Sequence, residues 1–259
     1  MTRRKKLLSI ILSLSMLCSG CTLGQRKDKE EQAEFVIREI FVNRDTKSMQ
    51  VTADYFGDDT DNLELYVLAG MEVLDVNVRP KENSKEIVWT GFYEEESDCE
   101  RIEIQSGFSS TEEPAVLVES IELAVEPEFV EAKKYETAAG SGNATVWVTP
   151  FSVVIRSSEN WREEGRLYAV LASDTQGNCF YVSQLPVMDD REHAEQKEHL
   201  LTDAVLEGRE KTDIWSMPQL GENAGRGSEL DNYGFRFVTE GKIELETLDQ
   251  VQIVPYVFE

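Results

Sequence analysis

Few residues in this 259-residue chain have the types and spacing that chemistry needs. Its only histidines are His193 and His199. A Ser, Cys or Thr nucleophile needs a base beside it. The sequence holds neither a Gly-x-Ser-x-Gly elbow nor a Ser-x-x-Lys motif. On a helix, residues six apart are rotated by about 600°, which leaves the two imidazoles about 120° apart and unable to converge on one metal. The metal candidates are Asp58, Asp59, Asp61 and Asn62, because oxygen ligands clustered in a turn suit a hard cation such as calcium. The sixth place of a calcium loop starting at Asp58 is Leu63, where an EF-hand requires Gly, and an acidic hairpin loop accounts for the same residues. Trp161 and Trp215 lie near loops and are the candidates for a sugar-stacking platform. Trp89 and Trp147 fall inside strand patterns and read as core. The 50 carboxylates offer so many pairs at glycosidase spacing that none is singled out. No catalytic residue is assigned on these grounds, and no residue set asks for a cofactor.

The elements that must position these groups are strands. Met49, Val51, Ala53 and Tyr55 alternate with polar residues, as do Leu63, Leu65 and Val67, then Ile121, Leu123 and Val125, then Val251 and Ile253. Alternation puts one face of each strand on a core and the other toward water. Turn residues separate the runs at 57–62, 80–84, 175–178 and 240–241. Short strands at this spacing predict β-sandwiches. A short repeat, Leu65–Ala69 against Leu167–Ala172, suggests two copies of one unit. The expected organisation is a first sandwich over 34–130 and a second over 131–259. The boundary would lie between Glu126 and Gly142. Residues 189–211 break the pattern: they are rich in helix formers, begin with Asp189 and Asp190, and approach an end at Gly208. They predict an acidic surface helix inserted in the second sandwich. Together with the Gly-rich loop to 227, this is either a functional surface or a tolerated insertion.

Arg3, Arg4, Lys5 and Lys6 precede an apolar run over 7–17, and small residues follow at 19 and 20. That is the pattern of a secretory signal peptide over 1–20. The run is too short to cross a hydrocarbon core of about 30 Å as a helix. Residues 1–20 carry four cations and no carboxylates, so the cleaved chain keeps 22 Lys and Arg against 50 Asp and Glu, a formal charge of −28. Such a surface repels nucleic acid. Residues 21–33 are polar, without apolar periodicity, and read as a flexible tether. Cys99 and Cys179 fall in different halves. A disulfide between them is permitted outside the cell, but the expectation is two unpaired, mostly structural thiols.

Ser19-Gly20-Cys21 resembles the lipobox of bacterial lipoproteins, with Cys18 standing where that family usually has Leu. The resemblance implies cleavage before Cys21 and a diacylglyceryl group on its sulfur. Two acyl chains suffice for stable anchoring where one gives marginal binding. Residues 146–155 (VWVTPFSVVI) resemble the strand, Ser/Thr-Pro, strand signature of immunoglobulin-like domains in the extracellular parts of Gram-positive membrane-anchored anti-sigma factors. Asp174–Asn178 resembles their hairpin turn and Leu248–Val254 their last strand. The resemblance covers about 130–259, with a looser echo over 34–130. On this reading the chain departs from that family, with a lipid anchor expected in place of a transmembrane helix and no cytoplasmic sigma-binding part expected. Fold and location are therefore implied, and no functional residues.

The expectation is a mainly β protein of two tandem immunoglobulin-like antiparallel sandwiches, with one helical insertion in the second. Cys21 would hold it on the outer face of the cell membrane. It would act as a non-catalytic binding or interaction module, with an envelope protein as its partner. The alternatives are an envelope carbohydrate-active hydrolase and a solute- or metal-binding lipoprotein.

Overall fold

The computed structural model describes residues 34–57, 63, 66–93, 101–106, 116–122, 125–139, 142–158, 160, 167–185, 199–201, 220, 226–231, 233–239 and 242–258. The described chain is mainly strand, arranged in four sheets.

In the first half, β1 (Glu34–Asn43) and β2 (Ser48–Phe56) form an antiparallel hairpin. β3 (Tyr66–Leu68) follows, then the hairpin of β4 (Met71–Pro80) and β5 (Lys85–Tyr93). β5 pairs with β2, which gives a sheet in the order β4-β5-β2-β1, and β8 (Glu128–Phe129) adds in parallel beside β1. β6 (Arg101–Ser106) and β7 (Val116–Glu122) join β3 in a second sheet. The alternation in β2 works as the pattern requires. Met49, Val51, Ala53 and Tyr55 are all buried in the core shared by the two sheets. Met49 and Val51 each contribute roughly 1.5–3 kcal/mol by leaving water. Trp89 is fully buried there, and its indole Nε1–H donates to the Tyr66 carbonyl at 2.7 Å. Phe35 packs against Tyr55 and Tyr66 beside it, with centroids 5.0 and 5.4 Å away.

The chain passes to the second half between Phe129 and Lys133. Here β9 (Lys133–Ala139), β10 (Gly142–Val148) and β11 (Ser152–Ser157) precede β12 (Leu167–Asp174) and β13 (Cys179–Leu185). β14 (His199–Leu201), β15 (Arg226–Asp231), β16 (Gly234–Val238) and β17 (Leu248–Phe258) complete it. One sheet runs β15-β16-β11-β10-β9 and the other β13-β12-β17-β14. A second core lies between them, including Val146, Val148, Ile155, Val170, Phe235 and Phe237. Lys133 and Tyr135 on β9 both donate to the Leu248 carbonyl, and so tie one sheet to the other. Burial and the nearby Asp249 push the Tyr135 hydroxyl up to about 12, so it stays protonated and donating.

The two halves share a plan. A hairpin (β1–β2, β10–β11) is followed by a strand of the facing sheet (β3, β12), then by a second hairpin (β4–β5, β15–β16) whose later strand pairs with the first hairpin. β6 and β17 then pair with β3 and β12. Of the repeated segments, Tyr66–Ala69 falls on and just after β3 and Leu167–Ala172 on β12, matching places in that plan. Both first hairpins are closed by hydroxyls: Thr46 and Ser48 in one, Thr149 and Ser152 in the other, with oxygens 2.8 and 2.7 Å apart. These polar groups are buried and so have to be satisfied internally.

The described part of the expected helix over 189–211 differs from the expectation. His199–Leu201 is strand β14, paired antiparallel with Tyr256–Phe258. The apolar pair Leu200 and Leu201 is compatible with either period over so short a run. The rest of 189–211 lies outside the described residues.

Candidate functional site

The two cores do not account for every apolar residue, and the remainder locates the site. Strand alternation sends Val146 and Val148 into the second core and leaves Trp147 on the opposite face of the sheet. The same parity puts Val154 and Arg156 outward on β11, and Arg236 and Val238 outward on β16. On β5 it turns Phe92 away from Trp89. Phe92, Val154 and Val238 form a small third cluster, with Leu74, Trp147 and Leu230 packed against it. This cluster joins the two halves, and β4 runs beside β15 and β16 there. Residues 33–259 accordingly form one compact unit.

A β-bulge between Val73 and Asp75 shapes the first half's side of the junction. Glu72 sits directly across from Phe92, so both side chains share the outer face. Gly91 makes the bulge possible, because a Cβ there would meet the Glu72 carbonyl oxygen at 2.0 Å. Across the junction, Arg236 donates to the Glu72 carboxylate through Nη2 and to Ser228 Oγ through Nε at 2.8 Å. Its guanidinium carbon lies 4.7 Å from the centroid of the Phe92 ring. Burial pulls the Arg236 guanidinium below the ordinary arginine value. Arg236 is therefore a clamp, gripping both the charge and the ring that the first half presents.

Beside the clamp an open cleft of about 500 Å³ separates the halves. Its floor carries Trp147 and Phe92. The β1–β2 turn closes one side with Asp45, Thr46 and Lys47. Lys47 adopts a left-handed φ of 57°, and its carbonyl accepts the Tyr93 amide at 2.9 Å. Arg156 closes the other side and is held by Asp231 at 2.6 Å. The Tyr233 amide, first, and then Arg156 hold the Asp231 carboxyl below its usual value. The same turn exposes the Tyr233 ring.

A second groove, of about 330 Å³, lies where Pro150 and Phe151 approach the outer face of β1 and β2. Charges on that sheet face are neutralised in a chain: Arg38 and Lys81 reach Asp54 at 2.7 and 2.8 Å, and Lys81 reaches Glu86 at 2.7 Å. Lys81, with Arg38, holds the Asp54 carboxyl low. This network is read as structural.

Cys21, Asp58, Asp59, Asp61, Asn62, Trp161 and Trp215 lie outside the described residues, as do His193 and Cys99. Leu63, next in sequence to the acidic candidates, is 2% exposed and belongs to the first core. Cys179 is half-buried at the start of β13. Trp89 is core, as expected. Trp147 is not: it is half-buried at the junction and lines the cleft. The parity of Val146-Trp147-Val148 held that signal. Among the described residues, no group of three or more His, Cys, Asp and Glu side chains could hold a metal. No protein-family model matches this chain, and no characterised protein or solved structure gives a significant match.

Proposed function

We propose that this chain is a lipid-anchored protein of the outer membrane face, built of two immunoglobulin-like sandwiches in tandem, which acts as a non-catalytic binding module at the cell envelope. The observation that carries the binding reading is the open cleft between two halves that Arg236 clamps together. A site held by rigid strands on both sides is pre-organised, which lowers the ordering cost of binding. The address rests on the leader and on Ser19-Gly20-Cys21. The paired hairpins with their facing strands support the sandwich reading.

The anchor is tested by expressing the full chain in a bacterial host fed a clickable palmitate analogue. The wild-type chain takes the label and sits in the membrane fraction, open to protease added to intact cells. Cys21→Ala loses the label. Label retained by Cys21→Ala, or a chain protected inside the cell, rejects the reading.

A further inference from the structure

We propose that the cleft between the halves binds a neutral oligosaccharide, with Trp147 as its stacking platform. This inference rests on the binding-module reading and names its ligand class.

Three features of the cleft favour that class. The first is charge balance. Among the described residues its lining holds Lys47, Arg156 and Arg236 against Asp45 and Glu72, a formal excess of one cation, and Asp231, outside the lining, pairs with Arg156. With Arg236 paired to Glu72 and Arg156 to Asp231, neither arginine stands in the cleft as an uncompensated charge for an anion. The second is the form in which those charges are held. Arg236–Glu72 and Arg156–Asp231 are ion pairs that set donors and acceptors side by side. A sugar hydroxyl donates one hydrogen bond and accepts others, so it needs that juxtaposition. Arginine's planar fork keeps N–H groups in reserve after one carboxylate is satisfied.

The third feature is the aromatic surface. Trp147 is half-buried in the floor, and Tyr93 also lines the cleft. An indole ring packs against the C–H face of a pyranose, while the polar walls engage its equatorial hydroxyls. The volume of about 500 Å³ lies within the roughly 300–1,000 Å³ usual for ligand sites, and the open mouth lets a chain continue outward.

The test is calorimetric titration of the detergent-solubilised full-length protein with chitotetraose, cellotetraose and maltotetraose. Inorganic phosphate and glucuronic acid serve as anionic comparisons. At least one neutral tetrasaccharide is expected to bind saturably, with the anions silent. Trp147→Ala is expected to weaken that binding by about tenfold or more, as the loss of a central aromatic contact does. Trp147→Phe keeps a ring and retains binding. Asp45→Ala, at an exposed turn position, weakens it through a lost acceptor. Flat titrations with all three sugars up to about 10 mM, above the millimolar range of weak sites, overturn the proposal. So does binding of phosphate or glucuronate alone, or a saccharide affinity unchanged in both Trp147→Ala and Asp45→Ala. A flat result alongside a protein partner crosslinked to the chain in native membranes rejects the saccharide and leaves the binding module standing. Cleavage of the bound sugar retains the ligand class and rejects the non-catalytic reading.

Discussion

Single residues decide whether the junction exists. Gly91 is the sharpest case, since its missing Cβ is the space into which the β4 bulge folds. The obstacle to a side chain there is backbone, the Glu72 carbonyl, which cannot rotate aside as a flexible side chain would. Gly91→Ala is therefore expected to destabilise the protein by roughly 1–3 kcal/mol, the usual cost of overpacking. It should also displace Glu72 from Arg236. Denaturant unfolding measures the first effect. A midpoint equal to wild type would show that β4 gives way freely and that the bulge carries no strain. Gly91 was legible in the sequence only as a glycine inside a strand. Its reason depends on the neighbouring strand's register, which a linear pattern does not contain.

At the scale of elements, alternation in β2 and β17 was readable, because a strand with one wet face must repeat every second residue. The turn at Thr175–Asn178 was readable for a local reason as well. The Asp174 carboxylate accepts the Gln176 and Asn178 amides at 2.9 and 2.8 Å, and Gly177 supplies a φ of 83°. The Asn178 side chain, at 2.7 Å, is the largest influence holding the Asp174 carboxyl low. A folded value below the unfolded one of about 3.9 fixes the sign: the turn's contribution is complete above that pH and is lost as pH falls through the folded value. In NMR titrations the Gln176 and Asn178 amide shifts should move together, with a midpoint below 3.9. A midpoint at or above the unfolded value would show that the carboxylate gains nothing from the turn. What alternation did not convey is what covers a strand's second face. Trp147 was assigned to a core because aromatic residues in strands usually face one, whereas its neighbours Val146 and Val148 had already taken the inner side. The expected helix over 189–211 rested on composition and on end signals at Asp189, Asp190 and Gly208, and at His199–Leu201 pairing with the last strand overrides them.

At the scale of the whole molecule, one clamp and one small cluster decide whether two cores behave as one. Arg236 is 17% exposed and Glu72 46%, so the pair is only half screened and the contact retains part of its Coulombic strength. Stacking on Phe92 adds a cation–π contribution. Arg236→Ala removes both and uncovers the ring, at an expected total of about 2 kcal/mol. If the clamp couples the halves, wild type melts in one calorimetric transition and Arg236→Ala in two, one for each core. Arg236→Lys keeps the charge but loses the planar fork, and should fall between them. High salt should narrow the gap between wild type and Arg236→Ala without closing it, since the stacking survives screening. A single unchanged transition in Arg236→Ala would assign the coupling to Phe92, Val154 and Val238 alone. The cleft would then be framed by apolar contact, and the arginine left facing it as a binding group.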